Sequence, residues 1–313
     1  MDAAIDPATG LPVDLLDFAP DTSVYEAMVA GGPPAWLDEL RLDTGGAHHH
    51  MGTHATTLDG WLLADEARDM ELALRSRLLD ERRDVVHACP AGAEPVAAAT
   101  LELVVDWLDE HGIPYDPPDP AEPPLVAAGR LVQEDLCLMI HRDGAWHLDA
   151  GVLCFPTLWD LRDRLGLATP DVHERVAHYD EIEQRVDRFF DRLPADRVVW
   201  RRNFSVKPYP HLHVPVVKSE LPTGAHSVGA DGSPYWLRSE RQTVRRLTDH
   251  PAIVFAIRVQ TVPAGVLRER PDIAAALGAH LRGLDAELSD YKFAGSDLHV
   301  AFTGWLDEIA ADR

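Results

Sequence analysis

The chain has 313 residues, of which 46% are hydrophobic and 26% are charged, as is ordinary for a globular protein with a sizeable core. Its formal net charge of −23 repels nucleic acid and anionic membrane surfaces, so we expect neither as a partner. The cysteines lie far apart without a CxxC pair, and neither a signal-peptide pattern nor an apolar run of about 18 residues occurs. These features predict a cytoplasmic protein with free thiols.

The N-terminal portion predicts an arm followed by helices. Residues 1–44 are rich in Asp, Pro, Gly and Ala without periodicity, which predicts a partly irregular arm. Apolar side chains recur every three or four positions in 61–78 and 94–111, the pattern of two amphipathic helices in a helical part spanning 45–124. Gly112 is the expected end of the second helix, and the prolines of YDPPDPAEPP form a stiff connector. The histidines of GGAHHHMGTH are flanked by flexible glycines and therefore lack the fixed geometry of a metal site.

A hairpin and short helices are predicted for the middle of the chain. Residues 135–142 and 145–155 are strand-like runs on either side of an Asp-Gly pair, which is typical of a β-hairpin turn. A proline ends the second strand, and a short helix should follow as far as Gly166. His173 then lies on a short helix or loop, before a longer helix over 179–193.

The remaining chain predicts further strands and then helices. Residues 198–206 and 252–262 predict strands, and the second is apolar enough for a central strand that is buried on both faces. His211 and His213 lie in an extended segment, in which strand alternation would turn both rings to the same face. Helical periodicity returns in 266–313, where we expect two helices packed on the core.

Standard catalytic signatures are missing from the sequence. It contains no GxGxxG after a strand, no GxxxxGK[ST], no GxSxG and no HExxH, so dinucleotide, nucleotide, α/β-hydrolase and zincin functions lack motif support. Cys154 alternates with inward residues on a strand, which favours a small core residue over a thiolate ligand. Composition and periodicity alone therefore lead to an α+β protein without an assigned function.

Several long sequence segments of unusual composition resemble those of a known family. They are MGTHATTLDGWLLADEARDMELALRSRLL, AGVLCFPTLWDLRDRLG, VHERVAHYDE, NFSV and LRSERQTVRRL, in that order over residues 45–295. In these segments the chain resembles the haem-dependent oxidative N-demethylase α-subunit-like family, formerly catalogued as a domain of unknown function.

The resemblance implies a fold, a cofactor and a reaction. The fold is an antiparallel sheet core of PAS-like topology over residues 125–265, with haem-covering helices and with decorating helices at both ends of the chain. The cofactor is haem b, and the reaction is oxidation of a small secondary amine such as dimethylamine to the primary amine and formaldehyde. Molecular oxygen is the oxidant, and a separate reductase relays electrons from NADPH through a flavin and a 2Fe–2S cluster.

Particular residues gain roles from the same resemblance. The family's iron-ligating histidine lies in a pattern like IHxPVPxY, and His173 takes the matching position in VHERVAHY, where both prolines are replaced. Cofactor-binding roles, as haem wall or propionate partners, would then fall to Phe189, Arg238 and Arg245. Glu240 would balance a bound ammonium ion, with Arg241 as the second catalytic residue. Alternatively, the stretch RSER forms a ladder of ion pairs between strands.

Two alternatives to an amine demethylase remain open at the level of sequence. A PAS-like domain that binds haem or another small ligand can act as a sensor without turnover. A non-haem iron oxygenase would need two imidazoles and a carboxylate on one site, for which His211, His213 and a nearby acid such as Glu220 are the candidates. The three hypotheses differ in whether the protein binds porphyrin, and in whether it consumes oxygen.

Overall fold

One antiparallel sheet of seven strands forms the centre of the protein. The computed structural model describes residues 4–42, 52–169, 183–216, 227–284 and 296–311. The strands are β1 (His54–Thr56), β2 (His87–Ala88), β3 (Glu134–Arg142), β4 (Ala145–Val152), β5 (Val198–Lys207), β6 (Trp236–Arg246) and β7 (Ala252–Pro263). Across the sheet they lie in the order β1-β5-β6-β7-β3-β4-β2.

Among the described residues, helices precede and follow the long strands, and a further helix lies between β4 and β5. They are α1 (Val13–Leu16), α2 (Thr22–Ala30), α3 (Arg68–Glu81), α4 (Arg83–Val86), α5 (Glu94–Glu110), α6 (Pro124–Leu131), α7 (Glu183–Arg192), α8 (Pro271–Arg282) and α9 (Ser296–Ala311). Separate helical segments around an antiparallel sheet confirm the predicted α+β class. Within the described ranges, no helix combines the length and apolar character that crossing a membrane would require.

Local sequence signals account for two confirmed predictions. Helix α5 ends before Gly112, which has a φ of 62°, and the N–H of Ile113 bonds back to the carbonyl of Leu108 at 3.0 Å. This is the helix end that a glycine in left-handed conformation favours. Strands β3 and β4 form the predicted hairpin, in which Asp143 and Gly144 both have positive φ, 52° and 82°.

The predicted central strand is confirmed as well. Strand β7 lies between β6 and β3, with three strands on either side of it. Most of its side chains are buried on both faces of the sheet. An uninterrupted apolar run is the pattern that such a position selects.

Side chains of β6 alternate between the two faces of the sheet, and this alternation defines the terms used below. Glu240, Gln242 and Val244 point to one side, called here the Glu240 face. Arg241 and Thr243 point to the other side, called the Arg241 face, together with Arg245.

Both terminal helical parts pack against the Arg241 face. The larger core joins α3, α5 and α6 to the sheet through residues that include Leu74, Leu78, Val104, Leu125, Leu138, Val152 and Val254. A second core joins α8 and α9 to the other end of this face through residues that include Phe204, Leu237, Val262, Leu277, Phe302 and Leu306. The main apolar burial of the protein therefore lies on this side of the sheet.

Described segments between β4 and β5 pack on the Glu240 face. A third core brings α7 and the segment after β4 onto it, with members that include Met139, Trp146, Leu161, Phe190, Val244 and Ile253. The indole N–H of Trp146 donates to Asp191 of α7 at 3.0 Å. Arg246 Nε donates to the carbonyl of Leu193 at 2.8 Å, which holds the end of α7 against the sheet.

Two predicted helices are shorter than their periodicity suggested. The helix predicted from residue 61 begins only at Arg68, because the preceding backbone is bound elsewhere: the N–H of Leu63 donates to Glu134 at 2.8 Å. The helix predicted after the hairpin is a single 3-10 turn, Leu161–Asp163. Leu158 has a φ of 61°, which no helix accommodates, and tertiary contacts thus override local propensity at both places.

Candidate functional site

The alternation along β6 separates the residues that the sequence grouped as one site. Arg238 and Glu240 lie on the Glu240 face, whereas Arg241 and Arg245 lie on the opposite side of the sheet. An 11-residue strand with period two cannot turn neighbouring side chains in the same direction. Of the arginines given roles by the resemblance, only Arg238 therefore lies on the same face of the sheet as Glu240.

Glu240 is held by hydrogen bonds to both of its carboxylate oxygens. Thr157 Oγ1 donates to Oε1 at 3.0 Å, and Gln242 Nε2 donates to Oε2 at 3.2 Å. The Nε atom of Arg238 lies 3.9 Å from Oε1, and the Glu240 side chain is 20% exposed. This carboxylate has a fixed direction and remaining lone pairs, so it can accept hydrogen bonds from a cationic ligand.

Arg201 and Asn203 of β5 extend this polar row. Arg201 Nε donates to Gln242 Oε1 at 2.6 Å, and Asn203 lies directly opposite Glu240 in the strand register. Both residues are half-buried. A small number of fixed polar groups of this kind can orient a ligand where they border an apolar surface.

Half-buried apolar side chains lie beside the polar row on the same face. Phe189 of α7 contacts the Phe190 ring, with centroids 5.7 Å apart, and Phe190 is buried against Trp146. The partly buried apolar members of this core are Trp159, Val186, Phe189, Val199 and Phe255. The Glu240 face thus combines an aromatic wall with a fixed carboxylate, as a small-molecule site requires.

Arg238 is deeply buried and ties loops to the sheet. Its Nη2 donates to the carbonyl of Phe155 at 2.7 Å, and its Nη1 approaches the carbonyls of His211 and Leu212 at 3.4 and 3.3 Å. Burial lowers the pKa of its guanidinium. Backbone carbonyls thus already accept most of the hydrogen bonds that Arg238 could donate to a haem propionate.

The other two arginines join the sheet to the N-terminal part. Arg241 Nη2 donates to the carbonyl of Gly60 at 2.6 Å, and its guanidinium lies 5.3 Å from the Trp200 ring centroid. Arg245 stacks over Trp61 at 4.5 Å. Burial lowers the pKa of both side chains. These contacts are cation–π and backbone contacts of a packed layer, and they lie away from Glu240.

The two histidines proposed for non-haem iron do not share a strand face. They lie in a segment without regular strand structure, where His213 Nδ1 bonds the carbonyl of Cys154 at 2.8 Å and its ring meets Phe18 edge-on. Burial lowers the pKa of His213 to about 4. His211 instead contacts Tyr209. Across the described ranges no group of three metal-binding side chains occurs, and Glu220 lies outside those ranges.

His173, the predicted iron ligand, also lies outside the described residues, as do His48, His49 and His50. The described chain reaches Thr169, whose hydroxyl donates to the carbonyl of Trp146 at 3.0 Å, and resumes at α7. The chain before this gap thus pairs with the edge of β4, where Ala168 bridges to His147, and the chain after it packs on the Glu240 face through α7.

Three polar residues of this face were not singled out from the sequence. Thr157 is 83 residues from Glu240 and Arg201 is 41 residues from Gln242, so neither contact has a local signal. Thr157 does lie within the segment CFPTLWDL, and Gln242 lies within RSERQTVRRL; both segments contribute to the family resemblance. Reading 236–246 as a strand would have placed Gln242 beside Glu240.

A comparison with protein-family models agrees with the resemblance seen in the sequence. Residues 107–301 match the model described as haem-dependent oxidative N-demethylase, alpha subunit-like. The matched region begins in α5, contains β3 to β7 and reaches into α9. It includes every residue of the Glu240 face discussed above. The chain belongs to the haem-dependent oxidative N-demethylase, alpha subunit-like family.

Proposed function

We propose that this protein is a haem-dependent oxidative N-demethylase that acts on a small secondary amine at the Glu240 face. The observation that carries the proposal is the Glu240 carboxylate, oriented by Thr157 and Gln242 next to a half-buried aromatic wall. A secondary amine is protonated near neutral pH, and a fixed carboxylate binds an ammonium ion by charge-assisted hydrogen bonds. Family membership supplies the reaction class.

The described residues of this face fit a flat apolar cofactor with a charged edge. Phe189, Val199 and Phe255 offer apolar contact from a helix and two strands, and Arg201 lies at the polar end of the wall. For the iron, His173 remains our proposed ligand, since α7, which follows it in the chain, packs on this face. Haem b, when bound, would supply the activation of molecular oxygen.

The protein's own contribution is to bind and orient the amine. Dimethylamine, oxygen, two electrons and two protons would give methylamine, formaldehyde and water. Glu240 would hold the ammonium nitrogen and fix which methyl group approaches the cofactor, while the apolar wall excludes water. The electrons would come from a separate NADPH-linked reductase that carries a flavin and a 2Fe–2S cluster.

The sheet and its coverage also support a PAS-like core, which we propose for residues 125–265. The antiparallel strands β3 to β7 lie in this range, and α7 covers the Glu240 face. The helical parts 45–124 and 266–313 would stabilise the opposite face, and 1–44 would be the arm. The free thiols of Cys89, Cys137 and Cys154 agree with a reducing, cytoplasmic location.

Turnover of the haem-loaded protein tests the proposed function. With photoreduced flavin as electron donor, it should consume oxygen and convert dimethylamine to equal amounts of methylamine and formaldehyde. Glu240→Gln should lower kcat/KM by about tenfold or more, because the charge that binds the ammonium is removed. The exposed Glu102→Gln should leave kcat/KM unchanged. Haem-loaded protein that consumes no oxygen with any small secondary amine would overturn the proposal and favour a sensor.

A further inference from the structure

A chain of hydrogen bonds determines which end of the Gln242 amide faces Glu240. Arg201 carries only donors, and its Nε lies 2.6 Å from Gln242 Oε1, so this oxygen must be the acceptor. The amide NH2 group then faces Glu240 Oε2 at 3.2 Å and can only donate. The orientation of Gln242 thus follows from chemistry and does not depend on a choice between two amide flips.

This arrangement directs both oxygens of Glu240 by neutral donors, while the nearest cation, Arg238 Nε, lies 3.9 Å from Oε1, beyond hydrogen-bond distance. Each oxygen of the carboxylate receives one neutral donor, from Thr157 or from Gln242. An arginine or lysine in place of Gln242 would form an ion pair and compete with a bound ammonium ion. Arg201 polarises the amide of Gln242, while its own positive charge stays one side chain away from the ligand.

We propose that Gln242, held by Arg201, is a positioning residue that fixes the Glu240 carboxylate for binding a secondary ammonium ion. This inference rests on the proposed function of Glu240. It adds a specificity element. Because the carboxylate is held in one direction, it cannot rotate to other hydrogen-bond donors, and the site therefore distinguishes a cation from a neutral molecule of the same shape. Gln242 is 7% exposed, so it acts through Glu240 and does not need to touch the ligand.

The Arg241 face provides an internal control with the same chemistry. There Arg202 Nη1 donates to Gln260 Oε1 at 2.9 Å, and Gln260 Nε2 donates to Asp65 Oδ2 at 3.1 Å. Asp65 is already paired with Arg258, whose Nη2 lies 2.8 Å away. Gln260 therefore belongs to a structural network, and its loss should affect stability without affecting ligand binding.

Isothermal titration of the haem-loaded protein with dimethylammonium tests the inference in a double-mutant cycle. Gln242→Met should weaken binding about tenfold, the usual value of one hydrogen bond to a charged group. In a Glu240→Gln background the same substitution should have almost no further effect, because Gln242 acts only through the charge. Gln260→Met should change the dissociation constant less than twofold in either background, even if it lowers the melting temperature as much as Gln242→Met does.

The outcomes separate this inference from the proposed function. If Glu240→Gln weakens binding but Gln242→Met does not, or if the two effects simply add, the positioning role is overturned while the amine site stands. If Glu240→Gln itself leaves binding unchanged, both are overturned. Should Gln242→Met fold poorly, Gln242→Leu repeats the cycle, and thermal denaturation of each variant shows whether lost binding reflects lost structure.

Discussion

Glu134 is a buried residue on the Arg241 face, and only one oxygen of its carboxyl group accepts a hydrogen bond from the described residues. Oε1 accepts the N–H of Leu63 at 2.8 Å, whereas Oε2 has no hydrogen-bond partner within the described chain. Burial raises the pKa of Glu134 from 4.5 to about 7. Desolvation of the charged form is the dominant cause, because the positive charge of Arg258 only partly opposes it.

This raised pKa gives a prediction for stability against pH. Between pH 4.5 and about 7 the folded protein binds this proton more tightly than the unfolded chain, so stability falls as pH rises through that interval. Glu134→Gln removes the titration and keeps the acceptor for Leu63. Relative to the parent protein, the variant should gain on the order of 2 to 3 kcal/mol of unfolding free energy at pH 8, and almost nothing near pH 4.

Urea denaturation at several pH values measures this difference. The exposed Glu26→Gln serves as the control and should show no pH-dependent change relative to the parent. A Glu134→Gln variant that is less stable than the parent at pH 8 would show that the carboxylate is charged and well compensated in the fold.

At the scale of elements, Asp135 joins α3 to the hairpin. Its Oδ1 accepts from Arg75 Nη1 and from the N–H of Cys154, both at 2.7 Å, and its Oδ2 accepts from the N–H of Phe155 at 2.9 Å. Both charged side chains are fully buried. A helix on one side and the chain leaving β4 on the other thus depend on a single carboxylate.

Asp135→Asn should therefore be strongly destabilising. It leaves the Arg75 guanidinium buried without a counter-charge, a loss of about 3 to 5 kcal/mol that thermal denaturation will detect. The matched control is Asp149→Asn, which breaks an ion pair with Arg142 whose guanidinium side chain is 43% exposed. That change should cost less than about 1 kcal/mol. Equal losses for the two variants would contradict the role given to Asp135.

The elements differ in how far the sequence could predict them, for a physical reason. The hairpin, α5 and the central strand β7 carry their own signals: an Asp-Gly turn, a glycine stop and an apolar run. The short strands β1 and β2 have none, because pairing with distant strands alone makes them strands. Glu240 was identified through the family resemblance. Thr157, which donates to Glu240, and Arg201, which donates to Gln242, reach these partners only through tertiary folding.

The whole molecule uses the two sheet faces differently. Both terminal helical parts and the two larger cores lie on the Arg241 face, where buried ion pairs such as Arg258 with Glu71 at 2.8 Å join them to the sheet. Among the described residues, the Glu240 face is covered by α7 and irregular chain, and it keeps half-buried aromatic and polar groups. A rigid, well-packed side and a more open side are what a ligand-binding sheet needs.

A haem titration followed by absorbance tests most directly whether the Glu240 face binds the cofactor. The purified full chain should develop a Soret band that saturates at a stoichiometric ratio, and His173→Ala should shift the band and weaken haem binding, because the nitrogen proposed to bind the iron is lost. Phe255→Glu, on the Glu240 face, should also weaken haem binding, since it would place a charge in the apolar wall that we propose for the cofactor. A chain that remains folded and gives no Soret band at saturating haem would contradict the proposed cofactor site.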